Sequence, residues 1–142
     1  MQTTLTPEVQ EIMNKRFGKD NLIALATVQD TTPWVRAVNS YYEKGAFYVI
    51  THALSNKMQQ LAVNPRCSIC GDWFTAHGVG KNMGHILAEE NKDLADRLRA
   101  AFSDWYENGH ADENDPNTCI LCIELTDGVL FNHGTRYDIH FA

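Results

Sequence analysis

Arg36, Thr51, Ser55 and Lys57 bring a guanidinium, two hydroxyls and an ammonium to the part of the chain where strand-like alternation gives way to helical spacing. The stretch Arg36 to Pro65 reads as a β-hairpin running into a short helix whose first turn can hold a phosphate. A helix start leaves its first backbone N–H groups without intrahelical partners and presents the positive end of the macrodipole, so an anion there is favoured twice. Lys57 adds a full positive charge at the end of a helix where lysine is ordinarily unfavourable. Ser55 and Thr51 offer hydroxyl donors, and Arg36, arriving from the neighbouring strand, offers a planar fork suited to phosphate. A phosphorylated ligand is one expectation. A capped surface helix with a solvated lysine is the other.

The four cysteines form two C-x-x-C pairs, Cys67 with Cys70 and Cys119 with Cys122, a spacing shared with zinc ribbons. Both pairs lie in apolar, β-branched runs, and strand residues three apart face opposite ways, so buried strand cysteines are expected and no metal site. A redox pair would need a helix start, which neither run suggests. From Ala76 to His85, glycines 78, 80 and 84 stand beside Lys81, in a spacing that fits neither the dinucleotide fingerprint nor the P-loop. Glycines inside a strand mark a bulge, a barrel corner or the close approach of another backbone. Six histidines, His52, His77, His85, His110, His133 and His140, form no tight cluster. His52, directly after Thr51, is the candidate proton donor to a bound ligand.

These groups must be positioned by short elements. A helix from Pro7 to Phe17 capped by Thr6 precedes a strand from Leu22 to Gln29 and a turn at Asp30 to Pro33. The hairpin follows, with strands Trp34 to Tyr42 and Ala46 to Thr51 around Glu43-Lys44-Gly45. Leu54, Met58, Leu61 and Ala62 then recur at helical spacing, with Ser55 as N-cap and Asn64-Pro65 as the stop. A strand from Cys67 to Phe74 and the glycine-punctuated segment through Met83 come next. An acidic helix carries Leu87, Leu94, Leu98, Ala101, Phe102 and Trp105 or Tyr106 on one face, and the polar loop 107–117 follows it. Strands Cys119 to Leu125 and Val129 to Asn132 flank Thr126-Asp127-Gly128, and 135–141 adds an edge strand. Many short strands joined by local turns point to a mainly β, α+β chain built as an antiparallel barrel with peripheral helices.

The 142 residues, 44% of them hydrophobic, suit one domain over 1–142 with a single core. The net charge of −6 is local: residues 89–115 hold nine acidic and three basic residues, and the rest of the chain holds nine of each. No basic patch exists for a nucleic-acid backbone. No apolar run approaches the roughly 20 residues of a membrane span, and Met1 to Thr6 has neither a basic nor an apolar leader region, so a soluble cytoplasmic protein is expected.

The order Arg36-Ala37-Val38-Asn39, a glycine turn, Phe47-Tyr48-Val49-Ile50-Thr51, Ser55-Asn56-Lys57 and Asn64-Pro65 resembles the FMN-binding split barrels related to pyridoxamine 5'-phosphate oxidase, over nearly the whole chain. The resemblance implies a split β-barrel that forms a homodimer with FMN in the interface. By the same resemblance the FMN contacts are Arg36, Val38, Asn39, Val49, Thr51, Ser55, Asn56 and Lys57. The vitamin B6 oxidase itself ends in a basic signature, of which only Arg136 and His140 have counterparts here, so the likeness points to the family's flavin reductases and general stress proteins. An FMN-dependent oxidoreductase is therefore expected, moving electrons between a reductant such as a nicotinamide and a small molecule. Trp34, Trp73 and Trp105 supply aromatic surface for ring or interface, with Trp73 as the expected flavin neighbour. The alternatives from other classes are a non-catalytic barrel holding another ligand or haem, with His77, His85 or His133 as axial ligand for haem, and a zinc adaptor built on the cysteine pairs.

Overall fold

Two-residue turns set the register of the sheet. Lys44 and Gly45, with φ of 48° and 85°, and His133 and Gly134, with φ of 49° and 80°, both adopt the left-handed conformation that matches the twist of paired strands. They join β2 (Thr32–Glu43) to β3 (Ala46–His52) and β6 (Thr118–Asn132) to β7 (Thr135–His140). The computed structural model describes residues 5–108 and 111–141, so His110 lies outside the described residues. The remaining elements are α1 (Pro7–Phe17), β1 (Asn21–Gln29), α2 (Asn56–Val63), β4 (Arg66–Gly71), β5 (Phe74–His85) and α3 (Lys92–Ala101).

All pairings are antiparallel in the order β3-β2-β1-β4-β5-β6-β7, and β3 also pairs with β6, which closes six strands into a barrel and leaves β7 as an extra strand. Closure is incomplete at one seam. β2 and β3 pair only over Tyr41 to Glu43 and Ala46 to Tyr48 and then diverge. Among the described residues no helix is long and apolar enough to cross a membrane.

The barrel interior is filled by alternate residues of its strands, among them Ile23, Leu25, Phe47, Leu121 and Ile123. Thr6 caps α1, its hydroxyl accepting the Val9 amide hydrogen at 3.2 Å. That helix delivers Phe17 against Phe47 and Phe74, each at 5.5 Å between ring centroids. A second apolar layer lies outside the barrel, where Leu94, Ala95 and Leu98 of α3 and Phe102 pack with Ile86 on Ile120 of β6. Burying β6 on both faces explains its continuous apolar run from Cys119 to Ile123.

Several sequence expectations are corrected. The run from Cys67 to Phe74 is two strands, because Asp72 and Trp73 form a tight turn between Gly71 and its partner Phe74. Thr126-Asp127-Gly128 is no hairpin turn: β6 runs unbroken through it, and the register shift between His77 and Gly78 of β5 makes it a bulge. Gly128 is required there, since a Cβ would lie 2.9 Å from the Thr75 carbonyl oxygen. Gly78 meets the expected close approach in the same way, its Cβ position falling 2.9 Å from the Glu124 oxygen. Leu54 and Leu87 are exposed outside the helices they were expected to anchor. Cys70, unlike the other three cysteines, is exposed.

Candidate functional site

Where β2 and β3 part, their separation opens a cleft of about 410 Å³. Val38 and Asn39 of β2 line one side, and Val49, Ile50 and Thr51 of β3 the other. Lys57 of α2 and Trp105, which follows α3, complete it. The volume falls within the range of small-molecule sites, and the lining combines apolar walls with a few polar groups, as such sites do. Divergence also leaves one backbone edge of each strand without a strand partner there, a source of amide and carbonyl groups for a polar ligand edge.

Lys57 is half-buried, and no ion pair among the described residues engages it. Burial holds its pKa below the ordinary lysine value, and the positive charge of Arg36 lowers it further. Arg36 itself is drawn inward. Its guanidinium donates to the Thr27 hydroxyl at 2.7 Å, to the Leu25 carbonyl at 3.3 Å and to Gln60 Oε1 at 3.1 Å. Gln60 also accepts the Thr27 hydroxyl hydrogen at 2.5 Å, so two buried polar side chains fix the arginine, near enough for its charge to bear on the lysine. Two cations that raise each other's energy are costly unless an anion joins them.

Ser55 supplies a second feature that suits an anion. It occupies the N-cap of α2, yet its hydroxyl caps no backbone N–H. Its Oγ is buried and has no hydrogen-bond partner among the described residues. A buried unpartnered hydroxyl costs about 1–3 kcal/mol. Beside a helix N-terminus and a half-buried lysine, a phosphate oxygen would relieve all three penalties together.

The expected site residues therefore divide. Val38, Asn39, Val49, Thr51 and Lys57 share the cleft. Ser55 and Arg36 do not line it: Ser55 occupies the start of α2 two residues before Lys57, and Arg36 lies near enough for its charge to bear on the lysine. Asn56 lines a different groove on α2, with Val28, Gln29 and Gln60. Trp73 lies on the β4–β5 turn, 71% exposed and packed edge-on against Phe131 at 6.3 Å, and does not line the cleft. His52 faces away from the lining: its Nε2 is 3.3 Å from Asp115 and its Nδ1 accepts the Leu54 amide hydrogen at 3.2 Å. Nδ1 thus braces the β3–α2 turn itself, and Nε2 docks the 111–118 loop on that turn together with the Ala53 amide, which donates to the Asn117 carbonyl at 2.7 Å.

Trp105 is the aromatic wall of the cleft, and the sequence offered no means to select it over Trp34 or Trp73. Its placement depends on α3 packing across β6 and on a hydrogen bond to a residue far away in the chain, Asp20. His77, His85 and His133 line no part of the cleft. His77 pairs with Asp127 at 3.0 Å, His85 bonds the Asp115 carbonyl and the Leu87 amide, and His133 occupies the β6–β7 turn. Within each cysteine pair the side chains diverge: Cys67 is buried and Cys70 exposed, while Cys119 belongs to the barrel interior and the adjacent Ile120 to the outer layer, which turns Cys122 away from Cys119.

General Stress Protein 26 from Bacillus anthracis str. Sterne is similar in structure, with a TM-score of 0.66 and 16% identity over 85% of this chain and 92% of that one. A pyridoxamine 5'-phosphate oxidase-related, FMN-binding protein from Nostoc punctiforme PCC 73102 gives 0.54 at 19% identity, over 82% of this chain and 77% of that one. A heme binding protein from Mycobacterium smegmatis gives 0.62 at 16% identity, over 87% of this chain and 54% of that one. At such identities the likeness is one of fold. No curated protein sequence matches the chain. The family model described as pyridoxamine 5'-phosphate oxidase matches residues 5–130, a span that holds β1 to β5, all but the last two residues of β6, the seam between β2 and β3 and every residue of the cleft. The chain belongs to the pyridoxamine 5'-phosphate oxidase family.

Proposed function

We propose that the protein is an FMN-dependent oxidoreductase that moves electrons between a reductant, a nicotinamide nucleotide being the natural candidate, and a small molecule. The observation that carries this proposal is the buried Ser55 hydroxyl, without a partner among the described residues, at the start of the helix that brings Lys57 to a cleft with apolar walls. Lys57, Ser55 and the first amides of α2 hold the phosphate, and Arg36 supplies a second positive charge. Val38 and Val49 exclude water from the ring, while Asn39 and Thr51 offer an amide and a hydroxyl to its polar edge. When bound, FMN supplies the electron-transfer chemistry, and the chain contributes orientation and polar contacts.

The active form is a homodimer with a site at each interface. The outer face of β1 and β2 supports it, because Leu22, Ala24, Ala26, Val35 and Ala37 alternate outward with Leu22 64% and Val35 70% exposed. A flat apolar face of small side chains of this kind is a docking surface. The neighbour from Mycobacterium smegmatis keeps haem as a second ligand to test, although no histidine among the described residues lines the cleft.

The test is anaerobic mixing of FMN-loaded protein with NADH or NADPH, followed by air. Loss of the flavin's visible band within the dead time to seconds and its return on oxygenation support the oxidoreductase assignment. A loaded protein that neither nucleotide reduces faster than free FMN would contradict the nicotinamide half of it.

A further inference from the structure

One wall of the cleft comes neither from the phosphate cradle nor from the two parted strands. Asp20, half-buried in the loop between α1 and β1, directs both carboxylate oxygens at residues that line the cleft. Its Oδ2 accepts the indole N–H of Trp105 at 3.0 Å, and its Oδ1 accepts a side-chain amide hydrogen of Asn39 at 3.1 Å. Both bonds are charge-assisted and so stronger than neutral ones. Phe102 lies behind the indole at 4.9 Å and 32°, which restricts rotation of the Trp105 ring from the other side. A partly exposed indole satisfies its N–H with water at little cost, so solvation alone does not require this clamp. What the clamp does accomplish is to fix an aromatic face and an amide edge relative to each other within one concavity.

Resting on the FMN assignment above, we propose that Asp20 is the positioning residue of the ring half of the site, presenting Trp105 as a stacking wall and Asn39 as a hydrogen-bonding edge to a planar heteroaromatic ligand. The ring half and the phosphate half are then separable. Asp20, Asn39 and Trp105 act on any flavin, phosphorylated or not, whereas Lys57 and Ser55 act only on the phosphorylated one. Loss of one aromatic contact weakens binding about threefold to tenfold.

The experiment is titration of the full-length protein with FMN and with riboflavin, read by flavin fluorescence, for wild type, Asp20→Ala, Trp105→Phe and Trp105→Ala. Indole against the ring quenches flavin emission, so the wild-type complex is dark. Expected are equal losses of about threefold to tenfold for FMN and riboflavin in Trp105→Ala and in Asp20→Ala, with brighter bound flavin in both. Trp105→Phe keeps an aromatic ring but loses the Asp20 bond and part of the stacking area, and it is expected to lie between wild type and Trp105→Ala. Asp20→Ala added to Trp105→Ala should cost less than it does alone, because part of its effect passes through the indole. Unchanged affinity and unchanged quenching in Trp105→Ala, with wild type binding FMN, would overturn this assignment alone, as would a loss confined to FMN. Failure of wild type to bind either flavin would overturn it together with the FMN assignment.

Discussion

Replacing Lys57 by methionine removes the charge and keeps much of the side chain's length, and the structure fixes the direction of two separate effects. In the free protein Lys57 is half-buried, feels the charge of Arg36 and has no acidic partner among the described residues, so its charged form is held at a disadvantage. Its removal is expected to leave melting temperature unchanged or raise it. In the complex the same ammonium meets a phosphate, and a hydrogen bond to a charged group is worth about 1.5–3 kcal/mol. FMN affinity should therefore fall by about tenfold to 150-fold. Riboflavin, which has the ring without the phosphate, should bind both proteins alike. The assay is a pair of fluorescence titrations with FMN and riboflavin beside a thermal melt. A drop in melting temperature with an unchanged FMN-to-riboflavin ratio would refute the reasoning, for it would make Lys57 a structural cation.

Further consequences follow from the same geometry. Ser55→Ala should be neutral or stabilising in the free protein, unlike loss of an ordinary N-cap at about 1 kcal/mol, and should weaken FMN but not riboflavin; chemical denaturation and titration check both. Because phosphate raises the lowered pKa of Lys57 back toward its usual value, binding takes up protons there. FMN affinity relative to riboflavin should then fall as pH rises through the free protein's Lys57 pKa, which lies below 10.5, and titrations along an alkaline series measure it. Val35→Glu places a charge at the centre of the apolar β1–β2 face and should give a monomer in sedimentation velocity, with intact secondary structure. Gly128→Ala forces a Cβ to within 2.9 Å of the Thr75 carbonyl oxygen and should destabilise by about 1–3 kcal/mol in urea.

What the sequence made legible was local. The Lys44-Gly45 turn, the alternation on either side of it and the change of period after Thr51 locate β2, β3 and α2 to within two residues, and five of the expected FMN contacts share the resulting cleft. Failures occurred where long-range packing overrides a local signal. Thr126-Asp127-Gly128 has turn chemistry, but pairing of β6 with β5 on one side and with β3 and then β7 on the other keeps the strand intact and absorbs the extra residue as a bulge. The turn at Asp72-Trp73 was hidden because a bulky residue at a φ of 51° is uncommon and the run continues into the apolar Phe74. Trp105 could not be singled out, since its role depends on a contact with Asp20 across 85 residues. The unused Ser55 hydroxyl was equally invisible, because a serine at that position reads as a cap whether or not it caps.

The central claim is that the cleft between β2 and β3 binds FMN through its phosphate. It is tested most directly by calorimetric titration of the purified, flavin-free protein with FMN and, in parallel, with riboflavin. Binding of one FMN per chain, with FMN favoured over riboflavin by about tenfold or more, is the expected result. Equal affinity for the two flavins, or no heat from either, would contradict it.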